Sequence, residues 1–390
     1  SIETSILFKR MQVEGILPNA ATFLCGLKAC SDIGDTYKGS IMHAEIVASG
    51  LFQKDFVLGD ALINMYSKLG ELLKSKEVFE KVPTLSKSSW NALLAGYAKH
   101  EHGKDALECF HLMQRKGFMP DHVTFIYCLK ACGILEYSNI AADFHREISR
   151  REFQGTKTVV SNALIDMYGK CGSLDDAEVI FQNMNETNII CWNNIIALYS
   201  SAGHNKEALM MFKHMQYAGV MPNKVTLMTI LNACIDLTAL DEAQVIHGYV
   251  VMCGFETDAF IGTALMNTYG KFGALEDARN VFDRINDHDV IAWNALISVY
   301  AQQGHAEQSL QTFEEMISKK VRPDNITFVN LLSSCSHGGL LEEGLKFFHA
   351  MWKDYNVKPS IEHYGCVVDL YGRAGQLAEA EDFITKCSLE

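Results

Sequence analysis

Apolar residues along this chain return at the spacing of one helix face. In the stretch from Lys87 to Met113, Trp90, Leu93, Leu94 and Tyr97 fall at i, i+3, i+4 and i+7, and Ala106, Leu107, Phe110 and Met113 form a second stripe. That spacing predicts two amphipathic helices. The pattern then repeats along the chain. Trp90, Trp192 and Trp293 are 102 and 101 residues apart, Tyr66, Tyr168, Tyr269 and Tyr371 are 102, 101 and 102 apart, and Gly70, Gly172, Gly273 and Gly375 keep the same steps. Each period divides into three units of about 31 to 36 residues, the length of a helix-turn-helix repeat. The related segments Asn91-Ala92-Leu93-Leu94, Asn162-Ala163-Leu164-Ile165 and Thr263-Ala264-Leu265-Met266 belong to different units.

Between paired helices the chain reads Gly172-Ser173-Leu174 or Gly273-Ala274-Leu275, where glycine can supply the left-handed residue that ends a first helix. Ala177, Ala278 and Ala380 follow in the second helices, small enough for close approach. Met119-Pro120-Asp121, Met221-Pro222-Asn223 and Arg322-Pro323-Asp324 stop the second helices. No strand signal competes, so the expected fold is all-α, a solenoid of stacked helix pairs with one concave face lined by first helices.

Composition agrees with a packed helical chain: 390 residues, 48% hydrophobic, 21% charged and only 6 prolines. No apolar run of eighteen residues predicts a membrane-spanning helix. The start, Ser1-Ile2-Glu3-Thr4, has neither the features of a secretory signal nor the Arg-rich character of a transit peptide, so any targeting segment is expected upstream. Of 12 cysteines, Cys30, Cys132, Cys234 and Cys335 recur at one repeat position inside apolar segments, which predicts buried thiols in a reducing compartment. The formal charge of -13 runs against the basic footprint of a nucleic-acid binder. Two considerations reconcile them. Asp175, Asp176, Glu242, Glu276, Asp277, Glu342 and Glu343 fall at second-helix starts, away from a face lined by first helices. Recognition through base edges also needs few phosphate contacts, which predicts modest affinity and a modest salt slope.

The unit length, the turn Gly169-Lys170-Cys171-Gly172 and the unit end Gly117-Phe118-Met119-Pro120-Asp121 resemble the pentatricopeptide repeat (PPR), and the alternation of three unit lengths resembles its plant PLS subclass of standard, long and short motifs. The resemblance implies a right-handed superhelical solenoid that covers essentially the whole chain. On that alignment residues 1–19 are the second half of a standard unit. Long units span 20–55, 122–157, 224–258 and 325–360, short units 56–86, 158–188, 259–289 and 361–390, and standard units 87–121, 189–223 and 290–324.

The family's implied mechanism is recognition of one RNA base per repeat by two or three side chains. It assigns base reading to the fifth and last residues of a unit: Asn91 with Asp121, Asn162 with Asn188, Asn193 with Asn223, Thr263 with Asp289, and Asn294 with Asp324. The family's pairing rules make these readers of U, C or U, C or U, G, and U. Small polar groups suit the task, since a carboxylate only accepts hydrogen bonds whereas an amide donates and accepts. The second residues Val123, Val159, Ile190, Val225, Phe260, Ile291 and Ile326, mostly stiff and β-branched, resemble the family's base-sandwiching wedges. The long units depart from this pattern with Leu24, Ile126, Met228 and Val329 at the fifth position, predicting spacing or weak preference. Asp60 with Ser86 matches no base, and Glu362 and Gly365 leave the last unit without a wedge or a reader.

Structural roles compete with each of these assignments. A fifth-position Asn could simply make local backbone bonds near a helix start. Trp90, Trp192 and Trp293 share stripes with Leu93, Ile196 and Leu296 and are expected in the core rather than as stacking platforms. His43, His145 and His247 recur at one helix position, and two of them give His-x-Glu. The Pro-Cys-x-x-Cys partner of a zinc deaminase is missing, so no metal and no cofactor is expected. The chain also has no nucleophile–base pair or phosphate-cradling loop, so it is not an enzyme as given. The leading expectation is a sequence-specific binder of single-stranded RNA. By resemblance it would guide C-to-U editing of mitochondrial or plastid transcripts, with editing cofactor proteins as further partners and any deaminase domain beyond this chain. The competing expectation is a protein-interaction scaffold, and support of RNA splicing or cleavage shares the same binding chemistry.

Overall fold

A computed structural model describes residues 2–151 and 155–387, and among them every regular element is a helix. The outermost part of the 361–390 unit and part of the 122–157 unit lie outside the described residues. The chain forms two compact units, residues 1–198 and 199–390. The first holds α1 (Ile2–Val13), α2 (Ala20–Ile33), α3 (Thr36–Ala48), α4 (Leu51–Lys54), α5 (Phe56–Leu69), α6 (Leu72–Lys81), α7 (Lys87–Lys99), α8 (Gly103–Arg115), α9 (His122–Leu135), α10 (Ser138–Arg151), α11 (Lys157–Lys170) and α12 (Leu174–Gln182). The boundary falls inside α13 (Ile189–Ser201). The second unit continues with α14 (Asn205–Tyr217), α15 (Lys224–Asp236), α16 (Leu240–Met252), α17 (Ala259–Lys271), α18 (Leu275–Arg284), α19 (Val290–Gln302), α20 (Ala306–Ser318), α21 (Asn325–Gly338), α22 (Leu341–Lys353), α23 (Ile361–Arg373) and α24 (Leu377–Cys387).

Within the first unit α2, α5, α7, α9 and α11 pack successively on one another, and each also packs on the helix that follows it in sequence, with the short α4 bridging α3 and α5. In the second unit α15, α17, α19, α21 and α23 form a like row, again backed by their followers. α4 is one turn of helix that the apolar periodicity did not announce. α11 starts at Lys157, one residue before the predicted unit start at 158.

The stripes that predicted the helices are the ones that pack. Trp90, Leu93, Leu94 and Tyr97 are buried, as are Ala106, Leu107, Phe110 and Met113. Trp90, Trp192 and Trp293 are core residues, each in an edge contact with a phenylalanine of the preceding helix: Phe79 at 4.6 Å, Phe181 at 4.8 Å and Phe282 at 4.7 Å between ring centres. Removing such an aromatic from a core typically costs about 3–5 kcal/mol. Gly70, Gly172, Gly273 and Gly375 take φ of 81°, 74°, 71° and 75° at the turns after α5, α11, α17 and α23, a region where a Cβ is strained. Cys132, Cys234 and Cys335 are buried, and burial pushes their thiols up to about 12, so they stay protonated and poorly reactive at neutral pH.

Helix starts differ between the two sets. Most first helices are capped by side chains, with full capping boxes at α2, α7, α9, α15, α21 and α23, though α11 has no side-chain cap bond and, among second helices, α3 is capped by Asp35. The starts of α6, α8, α14, α16, α18, α20 and α22 carry no side-chain cap bond. α16, α18 and α22 instead place two acidic residues in their first turns, where carboxylates favour the positive end of the helix dipole.

Candidate nucleic-acid interface

The predicted reading residues converge on the starts of the first helices. The last residue of a predicted unit caps the next first helix, except in unit 122–157, where Lys157 lies inside α11 and Thr156 is the N-cap. Asp121 is the N-cap of α9, taking the Thr124 N–H at 3.0 Å, and Asp324 caps α21 through the Thr327 N–H at 2.9 Å. Asp289 caps α19 through the Ala292 N–H at 2.9 Å, and Asn223 caps α15 through the Thr226 N–H at 3.0 Å. Asn188 accepts from the N–H groups of Ile190 and Cys191 at 2.9 and 3.2 Å.

The fifth residues lie one helix earlier in the row, and two of them reach across to these caps. Asn91 Nδ2 donates to both Asp121 carboxylate oxygens at 3.2 and 3.4 Å, while Asn91 Oδ1 accepts from the Thr124 hydroxyl at 2.7 Å. Asn294 repeats this, donating to Asp324 at 2.9 Å and accepting from Thr327 at 2.6 Å. These bonds span 30 to 33 residues, so the local-backbone role weighed for a fifth-position Asn does not describe these amides. Asn294 is itself buried, which leaves Asp324 as the more accessible member of its pair. Asn162 is half-buried on α11, and its Oδ1 is buried without a hydrogen-bond partner. Asn193 on α13 and Thr263 on α17 are half-buried.

Asp60 and Ser86, which matched no base, occupy the same arrangement with altered polarity. The Asp60 carboxylate accepts the Ser86 hydroxyl at 2.6 Å and the Ser89 hydroxyl. The common positions in the sequence carried that signal, but the unfamiliar residue pair hid it.

Electrostatics keep the Asp121 acceptor ionised. Partial burial alone would raise its pKa, but bonds from the Thr124 backbone and hydroxyl and the Asn91 amide, with the charge of Lys87, hold the carboxyl below its ordinary value. It therefore accepts hydrogen bonds, and does not donate them, at neutral pH.

Apolar side chains flank these pairs on the solvent side. Val159, Ile190, Val225, Phe260, Ile291 and Ile326 are all exposed by more than half, unusual for such residues on helices whose other apolar positions are packed, while Val123 is half-buried. Val57, which the sequence reading passed over, is also exposed at the same second position. Leu24, Ile126, Met228 and Val329 are half-buried in the first helices of the long units.

The profile of the PPR repeat family matches residues 86–133, 187–236 and 288–337, and that of the single PPR repeat matches 60–84, 159–189, 263–290 and 326–355. A mitochondrial pentatricopeptide repeat-containing protein of Arabidopsis thaliana is 34% identical over 97% of this chain and 68% of its own length. The chain belongs to the pentatricopeptide repeat family. A second mitochondrial PPR protein of Arabidopsis thaliana is 35% identical over 100% of this chain, and the chloroplastic PPR protein CRR2 is 36% identical over 94%. This chain spans 56% of the length of each of those two relatives. Among solved structures, the PPR protein PPR10 in complex with an 18-nt psaJ RNA element is similar over 98% of this chain and 52% of its own, with TM-score 0.58 and 18% identity. At that identity the likeness shows the PPR helical-repeat fold.

Among the described residues no group of three or more His, Cys, Asp or Glu side chains is placed to hold a metal ion. No helix there is long and apolar enough to cross a membrane. His43, His145 and His247 bond the hydroxyls of Tyr66, Tyr168 and Tyr269 at 3.1, 3.0 and 2.9 Å, which gives the recurring histidines a packing role.

Proposed function

We propose that this PPR chain binds a single-stranded RNA in register, one base per repeat, with the predicted division into standard, long and short units. The reading is carried by one recurring observation. A polar pair at the start of a first helix recurs at Asn91–Asp121 and Asn294–Asp324, and the second unit position beside it is apolar, exposed at Ile291 and Ile326 next to Asn294–Asp324 and half-buried at Val123 next to Asp121. Hydrogen-bonding groups beside exposed apolar wedges suit an unstacked base, which offers a polar edge and two apolar faces. In this reading Asn91–Asp121 and Asn294–Asp324 take U, Asn162–Asn188 and Asn193–Asn223 take a pyrimidine, and Thr263–Asp289 takes G.

The relatives named as mitochondrial or chloroplastic support an organellar transcript as the target. The resemblance to standard, long and short motifs supports C-to-U editing at that transcript. The chain's part is recognition, while chemistry and any editing cofactor proteins are supplied by other domains or chains.

The test is fluorescence anisotropy with a labelled RNA of about eleven nucleotides, one per repeat, carrying these bases in order. Tighter binding than to a scrambled RNA is expected, and Thr263→Asn should move the preference opposite that unit from G toward U. Equal binding to every RNA at low salt would remove the base-reading function and favour a protein-interaction scaffold.

A further inference from the structure

The residue that follows each reading pair by three positions is buried at every junction, yet its chemistry changes with the pair. After the pairs Asp60–Ser86, Asn91–Asp121 and Asn294–Asp324 it is a hydroxyl residue: Ser89, Thr124 and Thr327, each 0% exposed. It is a hydroxyl residue again after Asn223, at Thr226, but Cys191 after Asn162–Asn188 and Ala292 after Thr263–Asp289, and after the apolar fifth residues Leu24, Ile126, Met228 and Val329 it is Leu58, Val160, Ile261 and His363. A fully buried hydroxyl must find a partner, and those of Thr124 and Thr327 lie nearest the fifth-residue amide oxygen, at 2.7 and 2.6 Å against 3.0 Å to the cap carboxylates of Asp121 and Asp324. That bond has a directional consequence. With Oδ1 occupied, Asn91 can offer a base only an N–H, and Asp121 beside it offers an acceptor.

At Asn162 that bond is missing. Cys191 has no hydroxyl to give, and its thiol lies 3.2 Å from Asn188 Oδ1 instead. Asn162 Oδ1 is left without a partner. Asn188 Oδ1 is already taken by the N–H groups of Ile190 and Cys191, so the free end of Asn188 is its NH2. Asn162 Oδ1 is itself buried and no hydroxyl fixes this amide, so only the last residue presents a free group, a donor.

We infer that, behind a fifth-residue asparagine, the buried third residue of the following unit is a specificity-determining residue: its hydroxyl fixes the amide with its N–H end toward the RNA base, and without the hydroxyl the amide is free to turn. The inference rests on the base-reading function proposed above. Uracil offers its O4 acceptor beside the N3–H donor, and cytosine offers its N4–H donor beside the N3 acceptor. Donor-then-acceptor, as at Asn91–Asp121, complements uracil. At Asn162–Asn188 the amide lacks the hydroxyl that fixes it, so it can turn to give cytosine an acceptor, and this pair should take C more readily than Asn91–Asp121 does. Thr124 and Cys191 touch no base in this scheme and act only through the amide.

The experiment measures anisotropy with RNAs that differ only in carrying U or C opposite units 87–121, 158–188 and 290–324. It compares the wild-type chain with Cys191→Ser, which installs the side chain found at Ser89, and with Thr124→Val. Cys191→Ser should lower the C-to-U affinity ratio opposite 158–188 about fivefold, the weight of one net hydrogen bond. Thr124→Val should narrow the U preference opposite 87–121 by a similar factor and leave that opposite 290–324 unchanged. Thermal unfolding followed by circular dichroism establishes that each variant folds. Should Thr124→Val not fold, Cys191→Ser decides alone. Folded variants that keep the wild-type ratios, or that weaken binding of U and C equally, overturn this inference and leave base reading intact. A wild-type chain with no U or C preference opposite any of the three units overturns the base-reading function, and the inference with it.

Discussion

The starts of α9 and α17 meet one structural need with different surroundings. Both helices begin on an aspartate cap: Asp121 accepts from the Thr124 N–H at 3.0 Å, and Asp258 accepts from the Ile261 N–H at 3.0 Å. At α9 the preceding fifth residue is Asn91, bonded to the cap, and the third residue is a buried threonine. At α17 the corresponding residues are Met228 and buried Ile261, and the cap carboxylate is paired with Lys224 instead. The aspartate alone therefore caps a helix start without the amide or the hydroxyl, although at α9 the Thr124 hydroxyl also accepts the Asp121 N–H at 3.2 Å to complete a capping box. What Asn91 adds at α9 is an oriented polar pair with Asp121, which capping does not require and which the proposed base reading uses.

The largest effect that would break the comparison comes from deleting the two caps. Asp121→Ala and Asp258→Ala should each lower stability by about 1 kcal/mol through the lost cap. Only Asp121→Ala should also weaken binding of an RNA with U opposite 87–121, by about tenfold, because its acceptor is ionised and such bonds exceed neutral ones. Parallel denaturant titrations and anisotropy separate the two; equal losses of RNA affinity in both variants would mean that Asp121 acts only as a cap.

Next in size is the wedge. Phe260→Ser should reduce RNA affinity by about fivefold or more through lost stacking, with little change in stability because the ring is exposed. A smaller effect is expected from importing the amide alone into a long unit. Met228→Asn should change affinity for any base opposite 224–258 by no more than about twofold, the range of a substitution that gains no ordered partner. Ile261 offers that amide no hydroxyl to orient it. A clear U preference from Met228→Asn alone would show that the third residue is dispensable.

These expectations separate what was legible in the sequence from what was not. Helix pairing, the core tryptophans, the glycine turns and the buried cysteines follow from periodicity and residue size, since each reports on packing that a single unit repeats. The reading positions came from resemblance to a family and not from the residues' physics. Hydrogen bonds between residues 30 or more positions apart have no local signature, so the bonds of Asn91 to Asp121 and Thr124 were invisible, whereas the capping duty of Asp121 is a local i, i+3 bond that an aspartate ahead of an apolar helix could have signalled. Asp60 was passed over for a related reason. Its role depends on two serines from the next helix, and the residue pair taken alone gives no hint of them.

The smallest expected effect concerns the opposite side of the same junctions. Where a long unit lacks a polar fifth residue, its second helix makes a polar contact instead: His43, His145 and His247 bond Tyr66, Tyr168 and Tyr269 on the next first helix. In the fourth long unit Phe348 stands at the histidine position, so an aromatic ring fits there without the bond. Burial, above all, holds the three histidines below their ordinary value of 6.5, with Lys81 adding to it at His43 and Arg284 at His247, against small opposing pulls from Glu77, Asp176 and Asp277. An unfolded chain then takes up protons near pH 6.5 that the folded chain resists. The stability these neutral rings contribute is complete above that pH and falls as the pH drops through it toward the lowered folded values. The unfolding midpoint should therefore decrease between about pH 7.5 and about pH 5.5, the span in which histidine titrates. A variant combining His43→Phe, His145→Phe and His247→Phe should flatten that slope while leaving RNA selectivity at neutral pH unchanged. A slope that survives the triple substitution would assign the acid sensitivity to other groups, and a change in base preference would mean that the two sides of the junction are coupled.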